Sequence, residues 1–346
     1  MNLHYFQGNV SQGFVAIYST RMILRIAGAL ISLFLPIFLY ILFDFNIKYV
    51  LYYYLIGHLL YGFSVAFGCQ YLNKIGLRRS IKVAVFLGAI YYFLFYLLAG
   101  FVETGEFALL FNNKIFITLI IITIILALHR IAWWMPIHTD IAKFTDKKNR
   151  AKELSAVEAT TLFTGAIGPI IAGWILMKYN FDILFFLGII IYLISFLPLM
   201  YLPRTKEKFS WGYFETWKKF FSKKRRRAII AFAGNGAEDV VGVVIWPIFI
   251  FNLLKGNYFE IGALTSLVVA VTIIMQLLAG NYADKKNKDR MIHWGSAFYA
   301  VGWIIKVFIA TAFQIFIVST FHNFTRIFAR TPFDALTYER AADQGH

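Results

Sequence analysis

The sequence contains one cysteine, Cys69, and its 18 acidic residues are outnumbered by 34 basic ones. A single cysteine excludes an internal disulfide framework, so packing must hold the fold together. Charged residues make up only 15% of the chain, whereas 60% of its residues are hydrophobic and 19% are aromatic. A soluble core could not bury so much apolar surface, and this composition therefore predicts a membrane protein.

Motifs for nucleotide, metal or hydrolytic chemistry are also missing. The sequence has no phosphate-binding P-loop, no cluster with metal-ligand spacing and no pattern of a nucleophilic triad. We therefore expect no enzymatic activity, no cofactor and no bound metal. An integral membrane transferase acting on lipid would need a carboxylate or histidine cluster near one membrane surface, and the sequence shows none.

Long apolar runs dominate what is present. A membrane-spanning helix needs about 20 predominantly apolar residues. Ten such runs predict an all-α polytopic protein, and they lie near residues 18–43, 49–72, 80–102, 115–139, 156–178, 182–203, 228–254, 260–283, 291–312 and 313–334.

The formal net charge of +16 is distributed unevenly between the loops. The loops after the second, fourth, sixth and eighth spans carry 23 basic residues, whereas the other loops carry Lys48, Lys114, Lys178 and Lys255 alone. The positive-inside rule then places the even-numbered loops and the amino terminus in the cytoplasm. We expect a multi-pass protein of the inner (cytoplasmic) membrane whose partners are the lipid bilayer and a small solute, with no nucleic acid.

A polar loop pattern occurs twice, at Cys69 to Arg79 (CQYLNKIGLRR) and at Gly280 to Arg290 (GNYADKKNKDR). A constant shift of 211 aligns Tyr71 with Tyr282, Asn73 with Asp284, Lys74 with Lys285, Arg79 with Arg290, and Leu35-Pro36-Ile37-Phe38 with Trp246-Pro247-Ile248-Phe249. Repetition at so long a period indicates two related halves, which is typical of membrane transporters.

The first of these loops resembles the motif that joins the second and third helices in the major facilitator superfamily. Its matching residues are Asn73, Lys74, Gly76, Arg78 and Arg79, with asparagine in place of the acid, and those of the second copy are Gly280, Asp284, Lys285 and Arg290. The resemblance implies cytoplasmic gate loops that latch two helical bundles. The alternative is an ordinary positively charged loop.

An arginine pattern, Arg-Ile-x4-Pro, occurs in the fourth span at Arg130 and in the tenth span at Arg326, at a shift of 196. An arginine deep inside a span normally faces protein or water rather than lipid. Arg130 also resembles part of the fourth-helix arginine motif of the superfamily, which is associated there with proton coupling. Arg25, about two turns inside the first span, is the third such arginine.

The fifth span contains small residues that resemble the fifth-helix Gly-Pro motif of the superfamily. Gly165, Gly168, Pro169 and Gly173 predict a groove where another helix approaches closely. Helix packing alone would also explain this pattern.

Two adjacent acids, Glu238 and Asp239, lie about ten residues inside the seventh span within a glycine-rich segment. Broken helices line substrate sites in transporters, and two neighbouring acids titrate as a unit. The alternative is a structural salt bridge to Arg326. Lys306, near the outer end of the ninth span, is expected to snorkel to the surface.

The resemblance implies an amino-terminal bundle over residues 1–203, a basic amphipathic linker over 204–227 that lies on anionic lipid, and a second bundle over 228–346. Because the superfamily has twelve helices, we expect the chain to be truncated after the tenth. The leading hypothesis is a monomeric secondary transporter that moves a small solute by alternating access, with protons as a coupling partner. Its proposed pathway residues are Arg25, Arg130, Glu238, Asp239 and Arg326. A non-transporting membrane receptor or scaffold with the same fold is the alternative.

Overall fold

The computed structural model describes residues 11–103, 113–144, 150–204, 210–283 and 288–343, with side chains described over 11–102, 113–137, 160–204, 210–223, 225–276 and 292–328. These residues form helices joined by short turns, and no strand occurs among them. The α-helices are α1 (Gln12–Ile31), α2 (Leu35–Leu42), α3 (Ile47–Ser64), α4 (Gly68–Ile75), α5 (Leu77–Glu103), α6 (Asn113–Phe144), α7 (Arg150–Lys178), α8 (Phe181–Ile194), α9 (Tyr213–Phe220), α10 (Arg226–Val240), α11 (Trp246–Leu253), α12 (Tyr258–Ala283), α13 (Lys288–Lys306) and α14 (Ala312–Asp343).

Eight helical segments in the described part are long and apolar enough to cross a membrane, and they correspond to the first eight predicted spans. They are Gln12–Ile31, Ile47–Ile75, Leu77–Val102, Asn113–Ile137, Thr160–Lys178, Phe181–Tyr201, Arg226–Leu253 and Tyr258–Gln276. The predicted ninth and tenth spans coincide with α13 and α14, whose apolar runs are interrupted by polar residues such as Lys306, His322 and Arg326. The all-α polytopic prediction is therefore confirmed.

Several predicted spans are broken helices, and proline explains two of the breaks. Proline has no N–H group, and its ring clashes with the carbonyl of the preceding turn. Pro36 lies in the first turn of α2, directly after the break that ends α1. In the seventh span, a π-helical turn, Val241–Ile245, separates α10 from α11 just before Pro247.

The turn between α2 and α3 has the same backbone structure as the turn between α11 and α12. Four backbone N–H···O hydrogen bonds recur at the shift of 211. In the first turn they join Phe43 to Leu39 (2.9 Å), Asp44 to Ile41 (3.0 Å), Phe45 to Tyr40 (2.8 Å) and Asn46 to Phe43 (3.0 Å). In the second turn they join Leu254 to Ile250 (2.9 Å), Lys255 to Asn252 (3.2 Å), Gly256 to Phe251 (2.9 Å) and Asn257 to Leu254 (3.0 Å). The two segments therefore share local backbone structure at the shift that the sequence repeat predicted.

The same two turns share their strained positions and their helix caps. Positive φ angles occur at Asp44 (50°) and Phe45 (58°), and at the positions shifted by 211, Lys255 (50°) and Gly256 (78°). Each turn ends in an asparagine whose side-chain oxygen accepts a hydrogen bond from the first turn of the next helix: Lys48 N–H bonds Asn46 at 3.1 Å, and Glu260 N–H bonds Asn257 at 3.2 Å. An internal duplication accounts for this agreement.

The chain forms two compact units, and the first contains residues 1–161 and 175–249. The centre of the first unit is aromatic. Phe38, Phe95 and Phe185 are fully buried, and their ring centroids lie 5.0–5.9 Å apart. Edge-to-face and offset aromatic pairs of this kind stabilise a core beyond the area they bury.

The linker helix α9 packs against the first unit through aromatic contacts. Tyr213 stacks on Phe67 with ring centroids 4.2 Å apart, and Trp217 lies 6.2 Å from Phe63. Phe214 is 83% exposed, so one side of α9 is apolar and uncovered within the described residues. Lys219 donates to Glu215 at 2.8 Å, and this bond lowers the pKa of the Glu215 carboxyl.

The second unit contains residues 162–174 and 250–346, so part of α7 packs here against α12. Gly262 of α12 lies against the backbone of Pro169, and Gly173 lies against the backbone of Tyr258. Ser266 accepts a hydrogen bond from Ile170 N–H at 3.0 Å. A Cβ atom on Gly262 would overlap the Pro169 carbonyl and lie 3.2 Å from Gly173 Cα, so this crossing brings two backbones together. The predicted bundle boundaries at 203 and 228 stay a prediction.

The close crossing makes Gly262 less tolerant of a side chain than Gly165. A Cβ atom on Gly165 would make only an ordinary contact, 3.8 Å from Val269. We therefore expect Gly262→Ala to destabilise the chain by about 1–3 kcal/mol through overpacking, and Gly165→Ala to be close to neutral. Thermal unfolding of the two purified variants in detergent measures the difference. Equal midpoints would contradict the described crossing.

Candidate functional site

The acid pair of the seventh span lies in the last turn of α10, directly before the π-helical turn. Glu238 and Asp239 are both half-buried. The side-chain amide of Asn235 donates to Asp239 Oδ2 at 2.9 Å. π-Helical turns inside α-helices occur frequently at functional sites, because they displace side chains from the regular helical spacing. The structure thus adds an irregular backbone to the two acids that the sequence identified.

The glycines beside the acids make no close contact with other described residues. Among those residues, no atom would lie within 4 Å of a Cβ atom at Gly234 or Gly236. Each glycine in a helix interior costs roughly 1 kcal/mol relative to alanine. The segment from Gly234 to Pro247 is therefore an intrinsically weak stretch of helix that carries two acids.

Arg130 of α6 belongs to the same unit and lies among tyrosines. Its guanidinium carbon is 5.6 Å from the ring centroid of Tyr61, a cation–π distance. It also interacts electrostatically with Tyr53, Tyr54 and Tyr91. These tyrosines were not among the predicted site residues, although the tyrosine-rich start of α3 (Ile47–Ser64) was a visible signal. Aromatic faces and hydroxyl groups could present the arginine to a polar solute.

His129, next to Arg130, has a structural environment. Its Nδ1 atom donates to the carbonyl of Ala84 at 2.7 Å, because a carbonyl can only accept. The ring stacks at 9° on Trp133 with centroids 6.4 Å apart. This arrangement holds α6 against α5, so His129 serves as a packing residue.

The other two arginines lie in different surroundings. Arg25 is on the exposed side of α1, next to the buried Leu24. Arg326 is half-buried on α14 in the second unit, one turn after His322, with which it interacts electrostatically. Four of the five predicted pathway residues thus belong to the first unit and one to the second.

Lys306 and His322 form a buried polar pair that the sequence analysis missed. Lys306 is 7% exposed and His322 is 3% exposed. Lys306 Nζ lies 3.3 Å from His322 Nδ1 and 4.0 Å from the ring centroid of Trp303. His322 also stacks on Tyr299 at 4.4 Å. The expectation that Lys306 snorkels to the surface is therefore wrong, because its ammonium group is enclosed by aromatic rings and bonded to an imidazole.

The first predicted gate loop is shorter than the sequence suggested. Asn73 and Lys74 lie in α4, Arg79 lies in α5, and Gly76 is the single non-helical residue between these helices. Its φ of 81° and ψ of 156° are accessible almost only to glycine. Arg78 donates to the carbonyl of Met200 at 2.8 Å, so it ties the start of α5 to the turn after α8.

The second gate loop falls largely outside the described residues. Asp284 and Lys285 lie outside the described ranges, and of Gly280 and Arg290 only the helical backbone is described. Of the predicted packing motif, Gly165, Pro169 and Gly173 face α12 as given above, and Gly168 is buried on α7.

The described helices are long enough to span a membrane, some are broken at prolines, and several carry half-buried charge. These are the features of a polytopic membrane transporter. Residues 104–346 match the Major Facilitator Superfamily. The chain belongs to this superfamily of secondary transporters, as its motifs predicted. No curated protein sequence matches the chain.

Solved structures give the same fold. A bacterial homologue of the iron transporter ferroportin in an inward-facing state aligns with a TM-score of 0.70 at 14% identity, covering 96% of this chain and 85% of that chain. A D-xylose-proton symporter aligns with a TM-score of 0.62 at 14% identity over 94% and 82% of the two chains. A bacterial metal transporter aligns with a TM-score of 0.59 at 15% identity over 95% and 83%. At these identities the likeness establishes the fold alone.

The backbone conformation of Gly76 predicts an effect of substitution that packing does not. A Cβ atom there would meet no atom within 4 Å, yet the positive φ is unfavourable for alanine. We expect Gly76→Ala to destabilise the chain by about 1–3 kcal/mol. Gly100→Ala in α5, where a Cβ atom also meets nothing within 4 Å, should be neutral or stabilising. Thermal unfolding compares the variants, and equal behaviour would contradict the assigned conformation.

The Lys306–His322 contact should be measurable as a coupling energy. Replacing His322 with leucine leaves a buried ammonium without this acceptor, which should cost about 1–3 kcal/mol. The double variant Lys306→Met/His322→Leu should lose less than the sum of the two single variants, because neither polar group is then left behind. A double-mutant cycle on unfolding midpoints measures this difference, and strict additivity would refute the contact.

Proposed function

We propose that this chain moves a small solute across the cytoplasmic membrane by alternating access, and that Glu238 and Asp239 carry the coupling proton or cation. The observation that carries the proposal is the position of both acids in the last turn of α10, immediately before the π-helical turn and Pro247. Acidic side chains inside membrane spans commonly mark ion and proton pathways in transporters.

Asn235 contributes to this chemistry as a donor to Asp239. A hydrogen bond donated to a carboxylate oxygen stabilises the charged form. Glu238, the neighbouring acid, is half-buried as well. The two acids together would bind the coupling proton or cation.

The arginines supply the opposite charge. Arg130, held against the ring of Tyr61, would contact an anionic or polar group of the solute, with hydroxyl groups of neighbouring tyrosines as further partners. Arg25 and Arg326 are the corresponding candidates on α1 and α14. The positive-inside pattern supports an amino terminus in the cytoplasm.

The experiment needs a solute that the protein binds. A thermal-shift screen of the 346-residue chain would begin with D-xylose and iron, which the two structural neighbours carry in their names. Uptake of a stabilising solute into proteoliposomes is then measured at a series of pH values. A complete absence of substrate-dependent flux would favour the receptor or scaffold alternative.

Charge-removing variants test the acid pair directly. We expect Glu238→Gln and Asp239→Asn to reduce coupled uptake by about tenfold or more and to flatten its pH dependence. Glu260→Gln, which removes a half-buried acid in the first turn of α12, is the matched control and should behave like the wild-type chain. Unaltered pH dependence in both test variants would exclude the acids as the coupling site.

A further inference from the structure

We propose that the groove between α3 and α6 binds one acyl chain of an anionic phospholipid, with the lipid phosphate between Lys48 and Lys114. The groove has a volume of about 460 Å³, within the range of roughly 300–1,000 Å³ for small-molecule sites. It lies wholly in the first unit and is remote in sequence from the acid pair.

The two helices run side by side in the same direction. Gly57 of α3 faces Thr123 of α6, where a Cβ atom on the glycine would lie 3.7 Å from the threonine methyl. Further along both helices, Tyr61 of α3 contacts Arg130 of α6. Because the contacts advance together along both sequences, the first residues of α3 and α6 lie at the same end of the groove.

That end carries a lysine on each helix. Lys48 is the second residue of α3 and Lys114 is the second residue of α6, and both are exposed. The lining of the groove begins directly after them, with Tyr49 on α3 and Phe116 on α6. Two basic residues at the mouth of an apolar groove complement the anionic headgroup and the apolar tail of a single phospholipid.

The chemistry of the groove changes along its length in the way a lipid requires. Near the lysines it is lined by Phe43, Tyr49, Tyr52 and Phe116, and tyrosine rings are enriched at headgroup level. Further along it is aliphatic, with Ile120 and Ile124. The hydroxyl of Thr123, a polar lining residue, donates to the Leu119 carbonyl at 2.8 Å, so its hydrogen-bond donor is satisfied within α6.

The length of the groove matches one leaflet of a bilayer. Its lining on α3 runs from Tyr49 to Leu60, and a helical rise of about 1.5 Å per residue makes this about 16 Å. One leaflet of a hydrocarbon core about 30 Å thick is about 15 Å deep. A solute that crosses the membrane would need a longer or more polar path, whereas an acyl chain needs this depth.

The test uses the purified 346-residue chain, exchanged into a mixture of phosphatidylglycerol and phosphatidylcholine and analysed by native mass spectrometry. We expect retention of one phosphatidylglycerol in preference to phosphatidylcholine. Lys48→Gln/Lys114→Gln should weaken phosphatidylglycerol retention by about tenfold and leave phosphatidylcholine unchanged. Ile56→Trp/Ile120→Trp, which fills the groove, should reduce retention of both lipids.

Two control variants separate this site from general lipid contact. Lys178→Gln removes an exposed lysine at the end of α7, and Ile117→Trp enlarges an exposed residue of α6 that does not line the groove. Both controls should retain phosphatidylglycerol like the wild-type chain, and size-exclusion chromatography confirms that each variant is folded. Equal retention of the two lipids, or equal losses in the controls and the test variants, would overturn the proposal.

Discussion

Backbone hydrogen bonding inside the hydrocarbon core is the constraint on which this structure depends. An unsatisfied N–H or carbonyl group has no water partner there, so each span must be helical or must repair its own breaks. The prolines of the first and seventh spans remove donors, and the chain responds with a turn before Pro36 and a π-helical turn before Pro247. The irregular backbone beside the acid pair thus lies directly before a proline in a membrane helix.

The same low-dielectric setting decides where charge can be placed. Arg130 lies over the Tyr61 ring, and Lys306 lies over the Trp303 ring and bonds His322. Aromatic faces stabilise a cation that has lost part of its hydration, without introducing a second charge. The chain is rich in aromatic residues, and part of this content thus places cations inside the spans.

Sequence periodicity and composition predicted the helical membrane architecture and the location of the broken seventh span, and the resemblance of short motifs implied the superfamily. These features depend on local composition and on proline chemistry, which a single sequence displays directly. The environment of Lys306 could not be predicted in the same way. Its depth suggested snorkelling, but its actual partner, His322, is sixteen residues away and becomes a neighbour only when α13 packs on α14.

Arg78 illustrates a second limit. A paired basic motif suggested an electrostatic latch, whereas the side chain donates to the Met200 carbonyl, 122 residues away. A backbone carbonyl carries no signature in the sequence, so tertiary hydrogen bonds of this kind are invisible to pattern analysis. Gly76 is the opposite case, because a glycine between two helices directly indicates a conformation that other residues avoid.

Comparing equivalent positions of the two duplicated halves shows which residues the fold requires. At the shift of 211, Glu238 and Asp239 correspond to Ala27 and Gly28 of α1, which carry no charge. Lys306 likewise corresponds to Phe95, a fully buried core residue. Because apolar residues fill the equivalent places in one half, the scaffold does not need acids or a lysine there.

Charge at these positions in the second half therefore costs stability that the fold could have avoided. Insertion of a charged residue at a helix centre is unfavourable by about 2.5–3.5 kcal/mol on translocon scales. The turns that frame the two halves have kept the same hydrogen bonds despite different side chains, so the geometry persisted while the buried chemistry diverged. A costly feature found in only one of two equivalent scaffolds supports the proposed role of Glu238 and Asp239 in coupling.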